Sequence, residues 1–503
     1  MSKSSGNPRT PTLTEALIPV GALVVFLAGS VLNLNELPTL VVITPLLSAL
    51  ASVPLVGGVL YESIPVQIPL AAATVVAAIM AGRLGANWRE IQQGMVNGIM
   101  HSLGSILILL AVGMLIGVWI ASGVVPMLIT WGLQLMSPSY FLVAACLICA
   151  VVSLVTGSSW TTAGTVGVAL IGVAQGLGVS LPMAAGAIVS GAYFGDKMSL
   201  LSETTNLAPG VVGVDLFNHI RHMIFTTGPS WVIALVLYYI IGIRQSDTGI
   251  DSNILDVFIT GIESSTHMSI LLLLPPLLVL GLVMMRIPAL PALVAGILSG
   301  GLAAIGLQGM GLAETLVVAY GGFVADTGSV AVDDLLTRGG MSSMYGTIGI
   351  VLCAMTFGGV MERSGMLARL AEAILQFARN RGGLVASTLA TSIGINLVAA
   401  DQYLSIVVPG RMYRPAYIKM GLDPKNLSRC MEDGGTITSP LIPWNSCGAY
   451  MFATLGVFPL AYLPFAFLNL INPLISLIYG YTGWTMTPLE SNESESSEIE
   501  NIV

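Results

Sequence analysis

The feature that most constrains this chain is a set of long apolar runs over residues 17–34, 40–60, 68–82, 231–243 and 271–285. These reach or approach the roughly 20 residues that cross a bilayer core. Of 503 residues, 55% are hydrophobic and only 9% charged, whereas a soluble domain carries about 25% charged residues. Such a chain lacks the polar surface to cover itself in water. In lipid, its backbone polar groups must be satisfied internally. With 57 Gly and 26 Pro, the runs read as membrane helices that pack closely or break. The expected fold is an all-α polytopic membrane protein of about eleven transmembrane helices and two re-entrant hairpins. Its expected surroundings are a lipid bilayer, with no nucleic-acid partner.

Two polar stretches interrupt this apolar background. GAYFGDKMSLLSETTNLA (191–208) places Asp196, Lys197 and Glu203 among hydroxyls and glycines, and GGTITSPLIPWNSCGAY (434–450) has a similar texture. Polar, unwindable backbone at membrane depth is tolerated only where it is buried in protein or lines a cavity. Two such segments at corresponding places in two halves point to the site of a secondary transporter. The halves are themselves weakly similar: GVWIASGVVPMLI (117–129) matches GVMERSGMLARLA (359–371), and SLVTGSSWTTAGTVG (153–167) matches NLVAADQYLSIVVPG (396–410). GLGVSLP (176–182) and GLDPKNL (421–427) follow in the same order, at an offset of about 240 residues. The chain therefore divides into a polar tail at 1–15, a first repeat at 16–243, a polar linker at 244–266, a second repeat at 267–485 and an acidic, disordered tail at 486–503.

Lys3 and Arg9, with no acid before Glu15, place the N-terminus on the cytoplasmic side, and no cleavable signal peptide is expected. Segments 87–104 and 312–341 read as amphipathic lead-ins, lying at the interface or leading into a tilted helix. Cys146 and Cys149 form a lone CxxC without the second pair that zinc normally takes, so they read as packing cysteines. Gly94/Gly98, Gly113/Gly117 and Gly296/Gly300 read as close helix contacts. A channel is disfavoured because the acids fall in two clusters rather than one ring. An enzyme is not expected, since HExxH, GxSxG and P-loop patterns are absent.

The string GAYFGDKMSLLSETTNLA closely resembles the signature of the NhaC-type Na+/H+ antiporter family, as do TSPLIPWNSCGA (438–449), DLLTRGGM (334–341) and WREIQQG (88–94). The match runs in order over roughly residues 60–460. The resemblance implies two inverted repeats, with two re-entrant hairpins and two unwound helices meeting near the bilayer midplane. It implies Na+/H+ exchange by alternating access in the cytoplasmic (inner) membrane of a prokaryote, with no cofactor beyond the transported Na+ and H+. The same family includes malate–lactate exchangers and amino-acid carriers. A Na+- or H+-coupled carrier of a small organic anion or amino acid is therefore the alternative, and a homo-oligomer is left open.

Exchange of Na+ for H+ needs a carboxylate able to hold either cation, with neutral oxygens around it. Asp196 and its counterpart Asp401 are the leading candidates, because an acid deep in an apolar run is a functional hypothesis by default. Lys197 is either a structural partner of Asp196 or a substitute cation that competes for it. Glu203, Thr205 and Asn206 add an acid and an amide–hydroxyl cluster, although Glu203 can equally be a solvated rim residue and Asn206 a helix N-cap. Thr156, Ser158 and Ser159 supply hydroxyls at the first unwound helix, and Asn396 and Gln402 flank Asp401. Thr436, Thr438, Asn445 and Ser446 are neutral ligands of the second broken segment, where Pro440 and Pro443 prevent a regular helix. Arg429, Glu432 and Asp433 read as a loop charge cluster, and His219, Arg221 and His222 as a juxtamembrane group that sets topology. Asp326 is a candidate for an access path, His101 reads as a polar contact and Trp160 as a packing aromatic.

Overall fold

The computed structural model describes residues 9–31, 65–245 and 252–489. The apolar run at 40–60, most of the N-terminal tail, the centre of the expected linker and the acidic residues from 490 onward lie outside the described residues. Among the described residues the chain is helical, with two isolated bridges, Phe323–Arg338 and Leu422–Pro488, and no strand.

The first part comprises α1 (Leu13–Val31), α2 (Gln67–Arg83), α3 (Trp88–Ala121), α4 (Val124–Leu135) and α5 (Pro138–Thr156). It continues with α6 (Ser159–Thr162), a π-turn at Ala163–Gly167, α7 (Val168–Gly176), α8 (Leu181–Met198), α9 (Glu203–Val212) and α10 (Leu216–Gln245). Next come α11 (Ser252–Ser265), within the expected linker, then α12 (Leu274–Met284), α13 (Ala289–Gln308), α14 (Leu312–Gly321) and α15 (Val330–Leu336). The remainder is α16 (Tyr345–Arg363), α17 (Met366–Leu375), α18 (Arg381–Val398), α19 (Leu404–Lys419) and α20 (Pro424–Met431), with a π-turn at Glu432–Thr436. The last helices are α21 (Ser446–Leu455), α22 (Pro459–Tyr462) and α23 (Phe467–Thr482).

Among the described residues, five helices are long and apolar enough to cross a bilayer: Trp88–Ala121, Pro138–Thr156, Leu216–Arg244, Ala289–Gln308 and Met341–Arg363. Two bent pairs, Ile259–Ser265 with Ile270–Met284 (98°) and Ser446–Leu455 with Pro459–Phe465 (87°), raise the number to seven if each is one span. This is fewer than the expected eleven: the run at 40–60 lies outside the described residues, and the apolar helices Gln67–Arg83, Val124–Leu135 and Leu312–Gly321 are shorter than a span. Large apolar side chains face outward at helical spacing, among them Val294, Leu298 and Leu302 on α13 and Val232, Val236 and Tyr239 on α10. Outward apolar stripes on helices of this length are what lipid requires. The protein is a multi-pass helical membrane protein.

The lead-in at 87–104 takes the second of its two expected forms. A capping box starts α3: Asn87 Oδ1 accepts from Glu90 N at 3.0 Å, and Glu90 Oε2 accepts from Asn87 N at 2.9 Å. The polar turns then run without interruption into the apolar part, giving one helix of 34 residues. Gly98 lets α3 close on α16, since a Cβ there would land on the Met355 carbonyl, the close approach that small residues permit between membrane helices. Cys146 and Cys149 are free, fully buried thiols where α5 packs along α8. The largest apolar cluster lies among α3, α4, α5, α7 and α8, and a second lies beneath α1, α2, α16 and the end of α18. The polar segments contribute to the first of these, through Tyr193, Ile437, Leu441, Cys447 and Tyr450.

Candidate functional site

The first break follows from glycine. Gly157 adopts a left-handed conformation (φ 67°), which ends α5, because only glycine enters that region at little cost. Ser158 is extended, and its hydroxyl accepts from Thr161 N at 3.1 Å to start α6. Asp196, in the last turn of α8 and 8% exposed, closes onto this new helix start. Its Oδ2 accepts from Ser159 N at 3.1 Å and from Ser159 Oγ at 2.6 Å. A carboxylate against free backbone N–H groups is the favoured partner of a helix N-terminus. Thr156 and Thr162 bring their hydroxyls to 3.4 Å, and Thr205 Oγ1 donates to the Lys197 carbonyl at 3.0 Å.

The second break has different chemistry. α18 ends at Val398, and Ala400 takes a left-handed conformation (φ 56°) without being glycine. This conformation disfavours a side chain, and such outliers cluster at functional sites. Asp401, 3% exposed, accepts from Leu404 N at 2.7 Å and so caps the start of α19. An amide network fills the space beside it. Asn396 Nδ2 donates to the Gly435 carbonyl at 2.5 Å and to Thr438 Oγ1 at 3.2 Å, and Asn445 Nδ2 donates to Asn396 Oδ1 at 3.2 Å. Ser446 N reaches the Ala400 carbonyl at 3.1 Å, and the Cys447 thiol reaches Gln402 Oε1 at 2.7 Å. Thr436 Oγ1 is buried and has no partner.

The two regions meet across the molecule. Lys197 forms an ion pair with Asp433, with both side chains fully buried, and also donates to Asn472 Oδ1 at 2.9 Å. Tyr403 donates to Glu203. Trp160 stacks on Tyr450 with ring centroids 4.1 Å apart, and Tyr450 Oη donates to the Trp160 carbonyl at 2.7 Å.

Several expectations change in detail. Lys197 engages Asp433 rather than Asp196, because consecutive residues on a helix do not face each other. Ser202 caps α9, and Asn206 lies exposed within that helix with its amide on the Ser202 carbonyl at 2.6 Å. Glu203 is also exposed, as its rim alternative anticipated. Arg429, Glu432 and Asp433 are wholly buried rather than parts of a loop. His219 and His222 are buried as well, His219 Nδ1 lying 2.8 Å from Ser428 Oγ and His222 Nε2 3.0 Å from the Thr485 carbonyl, while Arg221 stays exposed. Thr226, which donates to Asp433 Oδ1 at 3.1 Å, and Asn472 were not anticipated. The available signal was the position of Glu432 and Asp433, directly against the Gly434–Gly435 head of the second broken segment. His101 and Asp326 are exposed. With Gly94, Asn97, Gly359, Glu362 and Arg363, His101 lines a cleft of about 270 Å³ between α3 and α16.

Ser159 binds Asp196 Oδ2 through both its N–H and its hydroxyl, and Leu404 N binds Asp401 Oδ1. The sequence profile of the Na+/H+ antiporter family matches residues 191–484, which include both acids and both broken segments. The Na+/H+ antiporter NhaC of Alkalihalophilus pseudofirmus is 44% identical over 418 residues, 83% of this chain and 90% of that protein. A malate-2H+/Na+-lactate antiporter of Bacillus subtilis is 37% identical over 439 residues, 87% of this chain and 94% of that one. The arginine/ornithine antiporter ArcD of Halobacterium salinarum is 37% identical over 491 residues, 97% of this chain and 95% of that one. These relatives are transporters rather than enzymes. With helix breaks, buried acids and extended similarity all in register, the chain belongs to the Na+/H+ antiporter family.

Proposed function

We propose that this protein exchanges Na+ for H+ across the cytoplasmic membrane of a prokaryote by alternating access. The observation that carries the reading is the pair of buried carboxylates, Asp196 and Asp401, each at a helix break and each bound to a backbone N–H there. At membrane depth such a group must hold a proton or meet a cation, and these two states are the half-reactions of an antiporter. Ser158, Ser159 and Thr156 in one region, and Asn396, Gln402, Thr438, Asn445 and Ser446 in the other, supply the neutral oxygens that Na+ favours. Thr205 and Thr436 stand beside them, with Glu203 and Asn206 at the rim.

We read the two regions as halves of an inverted repeat. α5, a break, α6–α7, α8, a break, α9 and α10 are followed in the same order by α18, a break, α19, α20, a break, α21 and α23. Breaks in corresponding positions of two repeats are the usual origin of a transporter site. Unequal stoichiometry would make the exchange voltage-driven, at about 2.3 kcal/mol per net charge per 100 mV.

The test is proton flux in reconstituted vesicles. A Na+ gradient alone should drive proton movement, without added organic solute. Flux that appears only with malate, lactate or an amino acid replaces this reading with an organic-solute exchanger. That second reading is favoured by the names of two relatives matching more than four-fifths of the chain.

A further inference from the structure

Antiport through Asp196 and Asp401 leaves one buried acid unused. Glu432 is fully buried, and neither of its carboxylate oxygens has a hydrogen-bond partner. Its neighbour Asp433 takes the available compensation: Lys197 pairs with it, Thr226 donates to Oδ1, and Arg429 Nε stands 4.0 Å from Oδ2. Glu432 lies within electrostatic range of Lys197 and Asp196 but pairs with neither. A buried carboxylate left this way is strongly unfavourable unless something else binds it.

Thr436, one turn further on, has the complementary defect. Its hydroxyl is buried with no hydrogen bond of good geometry, and it stands near enough to Glu432 to act on that carboxyl. The five residues from Glu432 to Thr436 form a π-turn, a widened turn found mostly at functional sites. Asn396 holds that turn open by binding the Gly435 carbonyl. The charges of Lys197 and Arg429 balance those of Asp433 and Glu432. Asp196, which acts electrostatically on Glu432, leaves the cluster one negative charge in excess for an incoming monovalent cation.

We propose that Glu432 and Thr436 form a binding locus for a monovalent cation, the carboxylate supplying charge and the hydroxyl a neutral oxygen. Its identity as Na+ rests on the antiport reading. Hard, oxygen-seeking ions suit this donor set, and neither side chain has a hydrogen-bond partner of good geometry among the described residues.

The experiment is equilibrium binding of radioactive Na+ to the purified full-length protein, alongside exchange in vesicles. Glu432→Gln, which matches a protonated acid in shape, is expected to weaken binding by about tenfold, as removal of a charged ligand should. Thr436→Val is expected to weaken it about three- to fivefold, with an unchanged elution profile and melting temperature. Wild-type affinity in both variants overturns the proposal and makes Glu432 a protonated structural acid. If Glu432→Gln does not fold, wild-type affinity in Thr436→Val overturns it alone. The antiport reading falls separately, through absence of Na+-driven proton flux in the unsubstituted protein.

Discussion

The two helix breaks solve the same problem with different materials. The first uses a glycine, a hydroxyl cap and the Asp196 carboxylate, which reaches from α8 onto the start of α6. The second uses a non-glycine left-handed residue, Ala400, a local Asp401 cap and an amide network of Asn396 and Asn445. The first region also reaches outward through Glu203 and Asn206, while the second, from Glu432 to Ser439, is buried throughout. One break is thus pinned by a charge from another helix and the other by a surrounding lattice of amides. Asp196 carries an anchoring role that Asp401, capping its own helix, does not.

That contrast can be broken in several ways. The largest effect is expected from Asp196→Asn and Asp401→Asn, each lowering coupled exchange at least about a hundredfold if the acid carries the ion. Vesicle flux with matched expression measures this, and wild-type flux in either variant removes that acid from the site. The two should differ in stability, with Asp196→Asn lowering the melting temperature more.

Next in size is the clasp between the regions. Lys197→Met leaves buried Asp433 with only Arg429, at 4.0 Å, to offset its charge and should destabilise the protein by about 3–5 kcal/mol. The double variant Lys197→Met with Asp433→Leu should recover part of that loss, Arg429 then lacking Asp433. Thermal unfolding in detergent reports both, and no recovery in the double variant would mean that the pair is not a self-contained unit.

A smaller effect separates the two left-handed residues. Gly157→Ala places a Cβ against Leu201 and should cost about 1–2 kcal/mol in conformation alone. Ala400→Gly should instead leave stability level or raise it by up to about 1 kcal/mol, relief of the backbone being partly offset by chain entropy. Chemical denaturation distinguishes these opposite signs. Smallest of all is Asn206→Ala, exposed on α9, expected within about 0.5 kcal/mol of the parent protein.

The apolar runs and the break at Gly157 were legible because hydropathy and glycine act locally. The break at Ala400 was visible only through Asp401, since alanine carries no signal of a left-handed backbone. The Lys197–Asp433 pair was hidden by adjacency: sequence places Lys197 beside Asp196, while helix geometry turns the two side chains apart. Glu432 and Asp433 were masked by the basic stretch at 411–429, which reads as surface. Their burial depends on packing by α18, α19, α9 and α23, and tertiary contacts of this kind leave no trace in local composition. Ser202 rather than Asn206 as the cap of α9 is a register difference of one turn, which composition cannot resolve.

The uninterrupted course of α3 has a further consequence. At 34 residues it is ~51 Å long, and even at a tilt of ~40° it rises ~39 Å, against a hydrocarbon thickness of ~30 Å. Its polar opening turns must therefore stand among the lipid headgroups. Because Gly94 and Gly98 fasten those turns to α16, the helix acts as a draught mark that sets how deep the molecule floats. Thicker or thinner membranes would then press on the same α3–α16 seam that forms the cleft around His101.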